Sequence, residues 1–210
     1  MLHSYYTIKD AGVHELTINK SRFITHLQRV VDEAEAKDFT DHIKKEHPNA
    51  HHNCSAYVIG DNNEHQKAND DGEPSGTAGV PMLNVLLKKE LKNTAVVVTR
   101  YFGGIKLGAG GLIRAYGNSV TEAVQHTGIV RRSRVRHYEV TASYELLGKI
   151  ENELRQSGYI LRSIDYSEQV TFHVAVNLEE TEDFEAWMVN VSHNRVTITA
   201  SGTSYIEEEV

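Results

Sequence analysis

Cysteine, proline, tryptophan and long apolar runs are what these 210 residues are short of. One cysteine, Cys54, excludes an intramolecular disulfide, and with it the small secreted scaffolds that depend on such bridges. With three prolines and no biased tract, the chain has no collagen-like or low-complexity segment. No uninterrupted apolar run approaches the ~20 residues that cross a bilayer, and MLHSYYTIKDAG at the start lacks the apolar centre of a secretory signal. The expectation is a cytoplasmic protein with no membrane partner. GxxxxGK[ST], GxGxxG and HExxH are all absent, so neither a nucleotide cofactor nor a metal is expected. Acidic residues are missing altogether from RYFGGIKLGAGGLIRAYG, Arg100 to Gly117.

What is there is unevenly charged. Residues 1–134 carry 17 Lys and Arg against 15 Asp and Glu, whereas 135–210 carry 5 against 14. Positive charge concentrates in 100–134, which holds six basic residues and the single acid Glu122. A polyanion is expected to bind there and to be repelled by the acidic remainder. The charge step places a domain boundary after residue 134, giving domains 1–134 and 135–210 and an α+β fold class.

The C-terminal part is the easier to read. HYEVTASY alternates and is rich in β-branched and aromatic residues, as strands are. Leu146, Leu147, Ile150 and Leu154 fall at helical spacing, as do Phe184, Trp187, Met188 and Val191. With strands over YILRSIDY, VTFHVAVN and RVTITASGTSYI, the order is βαββαβ, that of a ferredoxin-like sandwich. In the N-terminal part HELTINKSRFITHLQRV reads as one strand with a bulge. Asp32 caps a helix over the following DEAEAKDFTDHIKKEH. NCSAYVIG is a strand, the polar run to Gly79 is mostly loop, and VPMLNVLLKKEL is a helix with Pro81 in its first turn. TAVVVTR is a strand buried on both faces, and a helix runs from Leu112 until Gly128 stops it.

Three motifs bear on chemistry. The glycine-rich segment lies between a buried strand and a helix, where backbone N–H groups and the positive dipole end favour anions. Its candidate anion or nucleic-acid contacts are Arg100, Lys106, Gly108, Gly110, Gly111 and Arg114, continued by Arg131, Arg132 and Arg134. NDDGEPSGTAG packs Asp70, Asp71, Gly72 and Glu73 into a turn. The carboxylates either hold Mg²⁺ or a shared proton, or simply bond their own backbone. His52 and Cys54 share one face of a strand, a pairing that activates a thiol, although a lone cysteine on a strand is more often a small buried apolar group. None of these amounts to a catalytic constellation, and no enzyme activity is expected.

NDDGEPSGTAGVPML and VVVTRYFGGIKLGAGGLIRAYGNSVTEA, with KSRFI and HNCSAYVIG, resemble the signature of the IMPACT family in its bacterial, YigZ-like branch. The resemblance covers most of residues 15–130, and the acidic part resembles the extra C-terminal domain of bacterial members. It implies an N-terminal fold like the second domain of ribosomal protein S-five. It also implies a C-terminal domain like domain five of elongation factor G. Eukaryotic relatives restrain the starvation-activated kinase of translation initiation through a separate N-terminal module that these residues do not include. The implied role is therefore translation-associated, with RNA or the ribosome as partner and no established catalytic residue. Two alternatives stay open. One is an enzyme using Asp70, Asp71 and Glu73 beside the glycine loop on a phosphorylated substrate. The other is a regulator that docks a protein partner through the acidic C-terminal domain.

Overall fold

The structure, a computed structural model, describes residues 2–210 and is α+β. Its strands and helices are β1 (Ser4–Ile8), β2 (Gly12–Ile18), β3 (Ser21–Arg29), α1 (Glu33–Glu46), β4 (His52–Ile59), β5 (His65–Asn69), α2 (Gly79–Lys88) and β6 (Thr94–Tyr101), then α3 (Gly108–Thr127), β7 (Ile129–Ala142), α4 (Leu147–Gln156), β8 (Ile160–Tyr166), β9 (Val170–Asn177), α5 (Thr181–Ser192) and β10 (Thr197–Glu209). The chain divides into two compact units, residues 5–131 with 208–210, and residues 2–4 with 132–207. The division lies at Arg131/Arg132 rather than after 134, and it falls inside β7. The charge step marks where composition changes, not where packing stops, because RRSRVR alternates well enough to continue a strand.

The first unit is an antiparallel sheet in the order β2-β3-β6-β4-β5. Alternation along β6 sends Val96 and Val98 to one core with Met82, Leu86, Tyr116 and Val120 of α2 and α3. Ala95 and Val97 go to a second core with Ala36, Phe39 and Ile43 of α1. Helices on both faces thus explain why TAVVVTR is apolar throughout. The single bulged strand expected over HELTINKSRFITHLQRV is instead the hairpin β2-β3. Asn19 and Lys20 take φ of 46° and 65°, the geometry of a primed two-residue turn, without the usual glycine. His65–Asn69, expected as loop, is the edge strand β5. Asp32 caps α1 as expected, accepting from Glu35 N at 2.8 Å.

In the second unit β7 and β9 pair antiparallel, as do β8 and β9, and β10 pairs with β7. The resulting order β10-β7-β9-β8, with α4 and α5 as the connecting helices, is the ferredoxin-like arrangement that the βαββαβ pattern predicts. Phe172, Val174, Ile150, Leu154, Phe184 and Met188 form its core.

Candidate functional site

Register sets the site. Arg100 near the end of β6 lies opposite Phe23 of β3 on one side and His52 of β4 on the other. A basic side chain at the centre of a five-stranded sheet must find a counter-charge or pay a heavy desolvation cost. The Asn69–Gly79 turn supplies it. Glu73, 8% exposed, turns inward, and its Oε1 accepts from Arg100 Nη1 at 2.6 Å and from the Tyr116 hydroxyl of α3 at 2.8 Å. The guanidinium lies 5.4 Å from the Phe23 ring centre and 5.5 Å from that of Phe102, a stacked environment that suits arginine better than lysine. Glu73 Oε2 is 3.8 Å from His52 Nε2.

The two aspartates are committed to architecture. Asp70 Oδ1 accepts from the backbone N–H groups of Ala78 and Gly79 at 3.0 and 2.8 Å, and Oδ2 from that of Gly76 at 2.8 Å. It thereby caps α2 from outside, because Ala78 at the cap position has no side chain to do so. Burial alone would raise its pKa, but the three N–H donors outweigh it and hold the carboxyl below its ordinary value. Asp71 ties the turn to β4 and α1: Oδ2 accepts from Asn53 N and Oδ1 from Lys44 Nζ, both at 2.7 Å. Gly72, at φ 88°, completes the bend. This is the backbone-bonding form of the turn for Asp70 and Asp71, and it leaves Glu73 as the one carboxylate of the motif at the site.

Glu73, His51, His52, Arg100, Phe102, Lys106 and the start of α3 line one cleft of about 430 Å³. The carboxylate turn and the glycine segment therefore share a surface. Hydrogen bonding distinguishes the two histidines. His52 Nδ1 faces the Asp71 carbonyl at 2.9 Å, which only accepts, so Nδ1 carries a proton. His51 Nδ1 accepts from Phe102 N at 3.2 Å, so its proton, when the ring is neutral, is on Nε2.

The glycine segment is helical earlier than its sequence predicts. α3 begins at Gly108 rather than Leu112, so Gly108, Gly110 and Gly111 form its first turn, and Leu107 gives no side-chain cap. The first N–H groups of a helix lack intrahelical partners, and here the first two residues of α3, Gly108 and Ala109, line the cleft. Lys106 and Arg114 are exposed, with no ion pair among the described residues. Arg100 departs from the expected rim: at 5% exposure it forms the floor of the cleft. The run Arg131, Arg132 and Arg134 departs too. Arg131 and Arg132 pair with Glu208 and Glu207 at 2.8 and 3.0 Å, and Arg134 donates to Thr203 Oγ1 at 3.3 Å. These arginines lie on β7 beside β10, whose carboxylates compensate much of the charge that the sequence alone leaves free. Cys54 does not bond His52. Its thiol lies 3.0 Å from the Asp70 carbonyl and 3.3 Å from the Tyr116 hydroxyl, and burial pushes its pKa up to about 12.

What sequence reasoning missed is the Glu73–Arg100–Tyr116 cluster and the part of His51. A signal for the first existed: an arginine ending a doubly buried strand needs a buried acid.

Comparison with known proteins places these features in a family. Residues 19–124 match the Impact N-terminal domain, and residues 140–195 match a domain of unknown function. The IMPACT family member YvyE of Bacillus subtilis is 59% identical over 210 residues, covering 100% of this chain and 97% of the relative. YigZ of Escherichia coli, also an IMPACT family member, is 38% identical over 186 residues, with 87% and 91% covered. A crystal structure of a hypothetical protein aligns over 96% of this chain and 99% of its own at a TM-score of 0.62 and 34% identity. No helix among the described residues is long and apolar enough to cross a membrane. Both halves are accounted for by these matches, and the chain belongs to the IMPACT family.

Proposed function

We propose that this chain is a translation-associated regulator that binds RNA, free or on the ribosome, through the glycine-rich rim of its first unit. The observation that carries the reading is that rim. Lys106 and Arg114 stand unpaired on either side of the α3 start: Lys106 lines the cleft with Phe102, which is 39% exposed, and Arg114 lines a neighbouring hollow with Leu107 and Gly111. Unpaired cations contact phosphates, and an exposed aromatic ring offers a face on which a base stacks. The contact set is smaller than charge counting suggests, without Arg100 and with Arg131 and Arg132 engaged. A salt titration of tRNA or an rRNA fragment tests it. Two side-chain phosphate contacts give a slope of log affinity on log salt of about −1.5 to −2. Charge reversal at Lys106 and Arg114 together should abolish that slope. A flat response in the native chain, or unchanged binding after the reversal, overturns the reading.

A second reading, an enzyme acting on a small phosphorylated substrate, is favoured by one observation: Glu73 and the glycine segment line the same cleft. Following a panel of phosphate esters by ³¹P NMR tests it. Turnover that Glu73→Gln eliminates supports it, and a blank-level rate sinks it.

A further inference from the structure

We propose that the cleft between the Glu73 turn and α3 is a pocket for a terminal phosphate monoester, such as a phosphorylated nucleic-acid end or a mononucleotide. The inference rests on the reading of the glycine-rich rim as an anion surface and narrows it to one chemical group at one place.

Two independent features point to it. The first is the start of α3, a twenty-residue helix with no side-chain cap, opening at the cleft through Gly108 and Ala109. The unpaired N–H groups and the positive dipole end of such a helix form an anion site if something else draws an anion there. The second feature is Arg100. Its side chain is 6% exposed and lines the same cleft, and its one side-chain hydrogen bond among the described residues is Nη1 to Glu73. Buried Nε has no acceptor. A buried guanidinium N–H without an acceptor is costly, and most such groups in folded proteins are satisfied by water or ligand. Phosphate oxygens are the natural partners of a guanidinium whose donors are not all engaged.

Charge at the site agrees. Glu73 is the only carboxylate among the described residues that line the cleft, and Oε1 is already held by Arg100 and Tyr116. Asp71 is paired with Lys44, and Asp70 is bonded to backbone. Lys106 at the mouth remains uncompensated, so the balance left for a ligand is positive.

The choice of a monoester over an internal diester follows from donor number and access. A monoester presents three terminal oxygens and about −1.5 to −2 charge at neutral pH. A diester presents two free oxygens and one charge. Arg100 can be reached only by a group that enters the cleft, and a phosphate within a strand carries a nucleoside on each side. A cleft of about 430 Å³ also has room for the attached nucleoside, with Phe102 placed to meet its base.

Titrating the ¹⁵N-labelled full chain with inorganic phosphate and then AMP reads the site directly, because Gly108–Gly111 amides and the Arg100 Nε–H each give a resonance. We expect these to move first and together. Binding of single-stranded oligoribonucleotides ending in 5′-phosphate, 3′-phosphate or hydroxyls alone then identifies the source. One phosphorylated end should bind about tenfold tighter than the hydroxyl-ended strand, and Lys106→Gln should remove most of that difference. Arg100→Lys, provided it folds, should do the same. Equal affinities for all three strands, each salt-sensitive, would overturn the pocket and leave the RNA reading intact. Movement of the same resonances by AMP without binding of any RNA would overturn the RNA reading and keep the pocket as a small-molecule site. Phosphate at about ten millimolar that moves none of these resonances would dispose of the pocket.

Discussion

Arg100 and Glu73, 27 positions apart, meet as a buried ion pair at 2.6 Å, with side chains 6% and 3% exposed. The pair joins the end of a strand to the middle of a turn, and Tyr116 links both to α3 through the same carboxylate oxygen. Each half of the family motif is thus held by the other.

Breaking that pair from one side should be far worse than removing it entirely. Glu73→Leu leaves the Arg100 charge buried without its partner, a loss of about 3–5 kcal/mol. Glu73→Leu with Arg100→Met takes from the Tyr116 hydroxyl its Glu73 acceptor but leaves no buried charge, and should cost less than the single change. Urea unfolding followed by far-ultraviolet circular dichroism distinguishes the two. A double variant less stable than Glu73→Leu would mean that the pair contributes more than its mutual neutralisation.

Cys54 should be chemically silent in the native state. Burial, set against the Tyr116 hydrogen bond, pushes the thiol up to about 12, and the side chain is fully enclosed. At pH 8 its thiolate fraction alone lowers the rate of disulfide exchange with an aromatic disulfide about a thousandfold relative to an ordinary thiol. Labelling kinetics with and without urea check this. Native-state labelling at the unfolded rate would show that β4 opens locally.

Much of the fold is legible in the chain, and the reasons for the gaps are local. β6 is read correctly because apolar residues on both faces leave few alternatives, and the ferredoxin-like half because its elements follow one another at regular spacing. The β2-β3 hairpin escapes because Asn19-Lys20 makes the turn without glycine. The start of α3 escapes because glycines argue against helix, although no atom of another element lies within 4 Å of where a Gly110 Cβ would stand. At the site, the role of Asp70 follows from turn chemistry within ten residues. The Glu73–Arg100 pair and the pairing of Arg131 with Glu208, 77 residues away, depend on which strands become neighbours, which charge counting does not reveal.

Acid should weaken the protein in two separate steps. His26 is buried against the His47 ring at 5.2 Å. Desolvation first, then His47, lowers its pKa to about 4, with Glu46 opposing. The neutral ring fits the folded state, so its contribution is complete above about 6.5 and is lost as pH falls towards 4. Asp70, whose folded pKa is depressed, contributes above about 4 and loses that contribution as pH drops further. His26→Leu should therefore flatten Tm against pH between about 6.5 and 4 and leave the lower step. Asp70→Asn should do the reverse, and should also cost about 1–3 kcal/mol at neutral pH through the N–H groups it no longer satisfies as an anion. If His26→Leu leaves the upper step unchanged, the titrating group lies elsewhere.

The glycines of the glycine-rich segment divide by what surrounds them, and alanine substitution should separate those that shape the chain from those that only line the cleft. At Gly103 an added Cβ would stand 2.0 Å from the Lys20 backbone oxygen and 2.1 Å from its carbonyl carbon. Neither atom is at the end of a flexible side chain, so Gly103→Ala must shift either the β2-β3 turn or the segment leading to Lys106. A loss of about 2 kcal/mol or more is expected, comparable to other strained or overpacked sites. Gly110 is helical, with nothing within 4 Å of the position its Cβ would take. There the backbone entropy of glycine is the dominant effect, and Gly110→Ala should stabilise by about 0.5–1 kcal/mol. Thermal unfolding of the two variants beside the native chain gives both signs. A destabilised Gly110→Ala would show that the first turn of α3 needs glycine for a conformation or contact absent from this structure.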